Sequence, residues 1–165
     1  MKILQKLGSY VLVASMVVLG SCNNDDGGGG GSTSGYHVNA KVDGQDYSNS
    51  NLFAPSAIIT NGILNIQSSD NSGNAISIQV PNYTGPGTYN SGNNNIMNGY
   101  INYMKAGATI GQFTSYTSVR GDGVVTITEE TDTEVVGTFS ATAFENVDNS
   151  TNSVEITEGS FRAEL

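Results

Sequence analysis

Residues 57–66 read Ala57-Ile58-Ile59-Thr60-Asn61-Gly62-Ile63-Leu64-Asn65-Ile66. Asn-Gly between two apolar runs is the strongest short-range signal for a two-residue type I′ turn, because both central residues must take positive φ and neither type resists it. Such a loop opposes Ile59 to Leu64 and Ala57 to Ile66, and the side-chain period of two then places all four on one face. The stretch reads as a β-hairpin with a buried face. The chain on either side repeats the same logic.

Upstream, Tyr36, Val38, Ala40 and Val42 alternate with His37, Asn39 and Lys41, and Asp43-Gly44 supplies another type I′ signal. That turn opposes Lys41 to Asp46 on the polar face and Ala40 to Tyr47 on the apolar face. His37, the one histidine, is then expected to face solvent. Downstream, Asp70-Asn71-Ser72-Gly73 turns the chain, and Ile76, Ile78 and Val80 alternate until Pro81 ends the strand. Residues 82 to 99 are rich in Asn, Gly and Tyr and read as the longest irregular segment. Tyr100 to Met104 and Ile110 to Thr117 read as two further strands. Val125 and Ile127 alternate with threonines, an acidic loop is expected from Glu129 to Glu134, and Val135, Phe139, Ala141 and Ala143 form the inward face of a long return strand. A polar loop from Asn146 to Asn152 precedes a final strand from Val154 to Leu165.

That final strand carries a parity conflict. Val154 and Ile156 occupy even positions, Phe161, Ala163 and Leu165 odd ones. A bulge near Gly159, inserting one unpaired residue, puts both sets on the same face. No helix is visible in residues 36–165, so this single domain is expected to be an antiparallel all-β sandwich or partly closed barrel of nine or ten strands.

Leu19-Gly20-Ser21-Cys22 follows a basic start with Lys2 and Lys6 and an apolar run from Leu7 to Leu19, shorter than the roughly 20 apolar residues of a spanning helix. These residues resemble the lipobox of bacterial lipoprotein signal peptides. The resemblance implies cleavage of residues 1–21, lipidation of Cys22, and a membrane as the partner of that lipid anchor. Residues 22–35, Gly-rich after the Cys, have nothing apolar to bury and read as a tether spanning about 20 Å on average. Asp25 and Asp26 resemble the acidic export signals of surface lipoproteins in Bacteroidota-type bacteria. The expected location is the cell envelope, at the outer membrane and open to surface exposure.

Farther along, Gly87-Thr88-Tyr89, Gly123 to Thr128, Gly137-Thr138-Phe139-Ser140 and Val154 to Phe161 together resemble the motif string of small lipoproteins of unknown function from the same bacteria. That resemblance implies the compartment and the all-β fold. It brings no catalytic or binding residues.

Composition narrows the chemistry. The chain has six basic and fifteen acidic residues, and removal of residues 1–21 takes Lys2 and Lys6 and no acid, leaving four against fifteen, a formal charge of −11. Such a surface disfavours nucleic acid as a partner. Cys22 is the one cysteine, so a thiolate metal site or a free Cys nucleophile has no candidate in the domain, and with one histidine neither has a Ser-His-Asp triad or a His-based zinc site. No cofactor is implied. A carboxylate-dependent hydrolase is left as a third reading, behind a lipid-anchored binding module for a glycan or protein and a structural or accessory envelope lipoprotein.

Three groups are candidates for function. Tyr83, Tyr89, Tyr100 and Tyr103, beside Asn93, Asn94 and Asn95, have the amphipathic rings and amides of a ligand-binding face, although the chain has no Trp for a sugar platform. Glu129, Glu130, Asp132 and Glu134 crowd one loop and offer hard oxygen ligands to a cation, without the spacing of a known calcium loop; a solvated hairpin tip explains them as well. Arg120-Gly121-Asp122, the tripeptide that integrins recognise, is expected in an exposed turn before Gly123.

Overall fold

The structure, a computed structural model, describes residues 35–97 and 99–165. The expected signal segment 1–21, the expected lipidation site Cys22 and the expected linker up to residue 34 lie outside the described residues. Ten strands run in order: β1 (His37–Val42), β2 (Gln45–Ser48), β3 (Ser56–Thr60), β4 (Ile63–Ser69), β5 (Ala75–Val80), β6 (Gly87–Gly92), β7 (Tyr100–Ala106), β8 (Phe113–Glu130), β9 (Glu134–Glu145) and β10 (Ser153–Glu164). Among the described residues there is no helix.

Seven strands form a ring, β3-β4-β5-β7-β8-β9-β10, in which β10 returns to β3 through one parallel bridge, Glu164 to Ser56. The β1–β2 hairpin hangs from β10, and β6 hangs from β8. All other pairings are antiparallel. The fold is therefore all-β and antiparallel, with a ring too weakly closed to be a clean barrel. Leu64, Ile66, Ile78, Ile101, Val125, Val135, Ile156 and Phe161 fill it, each almost wholly removed from water.

Both Asx-Gly hairpins form with the expected registers. Asp43 and Gly44 have φ of 50° and 76°, Asn61 and Gly62 have 52° and 73°. Lys41 pairs with Asp46, Ala40 with Tyr47, Ile59 with Leu64 and Ala57 with Ile66. Ile59 nonetheless stays 38% exposed, because it lies one residue from the turn, where little of the sheet extends over it.

The bulge in β10 also forms. Ile156 pairs with Ala141 and Gly159 with Phe139, so β10 has one residue more than β9 over this interval, and Glu158 takes φ of 53° to absorb it. Val154, Ile156, Phe161 and Ala163 are all buried as a result. At Gly159 a Cβ would lie 2.3 Å from the Phe139 carbonyl oxygen, so the two backbones meet there more closely than any side chain allows.

Three expectations are corrected. The segment 82–99 contains β6, so it is not irregular throughout; its Thr-Tyr-Asn-Ser run has weak apolar alternation because β6 pairs only with β8. The strand expected from Ile110 starts at Phe113 and runs on through Val125 and Ile127 as one 18-residue strand. Arg120-Gly121-Asp122 lies inside that strand and not in a turn. There the chain bulges: Thr117 pairs with Phe144 but Asp122 with Thr142. Before the bulge β8 pairs with β7, and after it with β6. The buried Ser118 hydroxyl joins the two by accepting hydrogen bonds from Ser91 Oγ and the Ile101 amide, both at 2.8 Å.

Replacement of Gly159 by Ala is predicted to lower stability by about 1–3 kcal/mol, the usual cost of overpacking, in urea denaturation with an unchanged m-value. Wild-type stability in Gly159→Ala would contradict the close approach at the bulge.

Candidate functional site

The four tyrosines do not share one face. Tyr83 and Tyr103 belong to the buried core, and only part of Tyr89 and Tyr100 reaches solvent. Tyr83 donates to Glu130 Oε2 at 2.7 Å and packs on Tyr89, ring centroids 5.7 Å apart. Tyr89 in turn donates to the Gly85 carbonyl at 2.6 Å and accepts from the Thr84 amide. This pair locks the Gly85-Pro86-Gly87 turn. On β7 the parity of two sends Tyr100 and Tyr103 to opposite sides: Tyr100 hydrogen-bonds Gln79 on the outer face, and Tyr103 stacks on Tyr116 within.

The acidic run is likewise spread out. Glu130 accepts from Tyr83 and Glu134 pairs with Arg162 at 3.2 Å, so the turn itself is only Thr131-Asp132-Thr133. Among the described residues no three His, Cys, Asp or Glu side chains come together as a metal site. Arg120 donates to the carbonyls of Glu145, Val147 and Ser150 and so fastens the loop between β9 and β10, while Asp122 accepts from the Thr142 amide. These contacts engage both charged groups of the tripeptide within the fold, although Asp122 stays exposed.

A different surface stands out, at β3. One edge of this strand pairs with β4 along its whole length. The other meets β10 only at Ser56, beside a hydrogen bond from the Glu164 amide to the Pro55 carbonyl. From Ala57 to Thr60 that second edge has no strand partner among the described residues. The edge sequence, Ser-Ala-Ile-Ile-Thr, contains none of the charges, prolines or bulges by which proteins blunt an open edge. Ile58 on this strand is 62% exposed and Ile63 beside it is also solvent-facing, while Leu52 and Phe53 in the preceding loop are 81% and 69% exposed.

Beside the edge, the outer faces of β3, β4 and β5 form a depression of about 420 Å³. Ile58, Asn65, Gln79 and Tyr100 pair in one row across four strands, with Ser56, Gln67, Ser77 and Asn102 in the next. No residue lining the depression is charged, in a chain of net charge −9. Asn65 Oδ1 is buried there without a hydrogen-bond partner among the described residues, an acceptor that a ligand donor would satisfy. The pairing of Asn61-Gly62 already implied this face: if Ala57 and Leu64 point inward, Ile58 points outward, an apolar residue where a polar one is expected.

The domain of unknown function DUF6252 matches residues 36–163. The chain belongs to that family. The match spans the described domain from just before β1 to near the end of β10, so all ten strands fall within one family unit. No curated protein and no solved structure matches the chain.

A third tyrosine site ties the β1–β2 hairpin to β4. Tyr47 is buried and shares a 2.9 Å hydrogen bond with the Ser68 hydroxyl. Burial pushes its phenol up from 10.0 to about 12. The protonated phenol is thus favoured by folding; its contribution is complete below the unfolded value and is lost as pH rises from about 10 towards about 12. Stability measured by urea denaturation is predicted to fall across that interval, and Tyr47→Phe to make the fall shallower. An equally steep fall in the variant would show that Tyr47 does not carry the shift.

Proposed function

We propose that the domain is a lipid-anchored extracytoplasmic interaction module whose partner is another polypeptide, taken as an added strand along β3. The open edge of β3 carries this reading. Unpaired backbone N–H and C=O groups in a row recruit an extended chain by sheet hydrogen bonding, whatever that chain's sequence, and flanking side chains supply selectivity. Ile58 and Ile63 provide apolar contact on the outer face beside such a strand. The uncharged depression beside the edge receives its alternate side chains, and a hydroxyl or amide donor among them meets Asn65 Oδ1. An acidic net charge elsewhere keeps the molecule soluble while this one strip stays neutral.

The anchor follows from the lipobox at Leu19-Gly20-Ser21-Cys22. Lipidation there, with the Gly-rich residues after it, would hold the module near an outer-membrane surface and leave its orientation free. Two-dimensional confinement raises the effective concentration of a partner in the same membrane, so a modest edge contact suffices. A second reading rests on the row of amides: Asn65, Gln67 and Gln79 also suit the hydroxyls of a neutral glycan, with Ile58 and Ile63 under its carbon face.

A photoreactive amino acid at Ile58 in intact cells is predicted to give a discrete polypeptide adduct, identified by mass spectrometry, that is lost when Ile63→Lys is added and absent from a probe at Val124. Equal labelling at both positions, or none, would sink the strand-addition reading; binding on a glycan array lost in Asn65→Ala would establish the second. Separately, Cys22→Ser is predicted to release the protein from membrane fractions. Retention of the variant in the membrane after an ordinary signal-peptide cut would refute the lipid anchor.

A further inference from the structure

A smaller cleft, of about 230 Å³, opens between the β1–β2 turn, the β4–β5 turn and β7. Its walls include the buried rings of Tyr47 and Tyr103, and its rim bears Asp43, Asp46 and Asp70 against one cation, Lys105. Three carboxylates to one ammonium leave the cleft with a net negative charge.

Tyr103 is the telling residue. It is 6% exposed, and its ring stacks on Tyr116 with centroids 6.2 Å apart. Among the described residues its hydroxyl has no hydrogen-bond partner, whereas Tyr47 and Tyr83 each have one. The ring packs as a phenylalanine would, while the hydroxyl oxygen, not among the fully buried unpaired atoms, is left to water or a ligand in the cleft. Burial first, then Asp70 and Asp43, hold the phenol above its ordinary pKa.

The two carboxylates are fixed in place by the chain itself. Asp70 Oδ1 accepts from the amides of Ser72 and Asn74, both at 2.8 Å, and Oδ2 from Asn74 Nδ2 at 2.6 Å. Asp43 Oδ1 accepts from the Glu155 amide at 2.9 Å. Neutral donors orient these charges without cancelling them. No three metal-ligating side chains converge among the described residues, so the donor set suits a hydrogen-bonding cation better than a bare ion. Aromatic walls add attraction for a cationic head and cover a carbon stem.

We propose that this cleft binds a small organic cation bearing N–H donors, a primary ammonium or guanidinium group, which donates to the Tyr103 hydroxyl and lies between Asp43 and Asp70. The same head group occurs on free amines and on basic side chains. The site is separate from the β3 edge, so either can fail without the other.

The test is a titration of the folded domain, followed by amide NMR, with agmatine and with blocked arginine (N-acetylarginine N-methylamide), at constant ionic strength. Saturable shifts at the β1–β2 and β4–β5 turns are expected in the millimolar range, weakened about tenfold in Tyr103→Phe and in Asp43→Asn. Asn keeps the type I′ turn and can still accept from Glu155, so the second variant removes charge alone. Lys105→Ala should bind more tightly. Binding of agmatine but not blocked arginine assigns the site to free amines, and the converse to a polypeptide side chain. Tyr103→Phe should melt no lower than wild type, since its hydroxyl has no internal partner. Absence of saturable shifts with either probe, wild-type affinity in either weakened variant, or a lowered melting temperature in Tyr103→Phe would overturn the proposal.

Discussion

A β-strand has two edges, and a long one can serve three partners only if it bends between two of them. β8 does this, β10 also serves three partners, and the rest of the fold follows. β8 gives one edge to β9 and divides the other between β7 and β6. β10 gives one edge to β9 and divides the other between β1 and β3. The bend in β8 is made by extra residues opposite β9, Ser118 to Gly121; the extra residue absorbed at Glu158 in β10 lies within the stretch paired with β1 and β9, where it restores the strand's inward parity. At both places a side chain would collide with the neighbouring backbone, since a Cβ on Gly121 would lie 1.9 Å from the Thr142 carbonyl oxygen. Glycine is therefore the residue that lets the sheet turn the corner.

The division of β10 also explains the surface assigned to function. Because β1 occupies most of that edge, β3 meets β10 only at its tip, and the ring closes through one bridge. The incompletely closed seam leaves β3 open, with apolar side chains around it and no charge along it. The tyrosine rings, by contrast, hold the structure: Tyr83 and Tyr89 lock a turn, and the rings of Tyr103 and Tyr116 stack inside. A functional surface made of backbone groups and isoleucines differs in kind from one made of aromatic rings and amides. Such a surface suits the extended chain proposed as its partner.

How much of this was legible in the sequence depends on the range of the interaction responsible. Type I′ turns are encoded by two residues each, and both Asx-Gly registers could be read directly, down to the Lys41–Asp46 pair. The bulge in β10 was legible because a switch of parity has one inexpensive remedy. Strand β6 was hidden because its stability comes from β8, some 35 residues away, and not from its own alternation. The tyrosines misled for a related reason: burial of an amphipathic ring depends on what the rest of the sheet places over it. Arg120 looked like part of an exposed motif, yet its guanidinium satisfies three carbonyls of a loop that begins 25 residues later. Openness of the β3 edge is a property of the whole ring, so no local window contains it.

Backbone amide hydrogen exchange across β3 and β4 tests that openness most directly. With one edge paired and the other free, alternate amides from Ala57 to Thr60 should exchange orders of magnitude faster than their neighbours, while Leu64 and Ile66 in β4, paired on both sides, are uniformly slow. Uniform protection of all the amides from Ala57 to Thr60, at the level of β4, would mean that the second edge is already covered and would contradict the account.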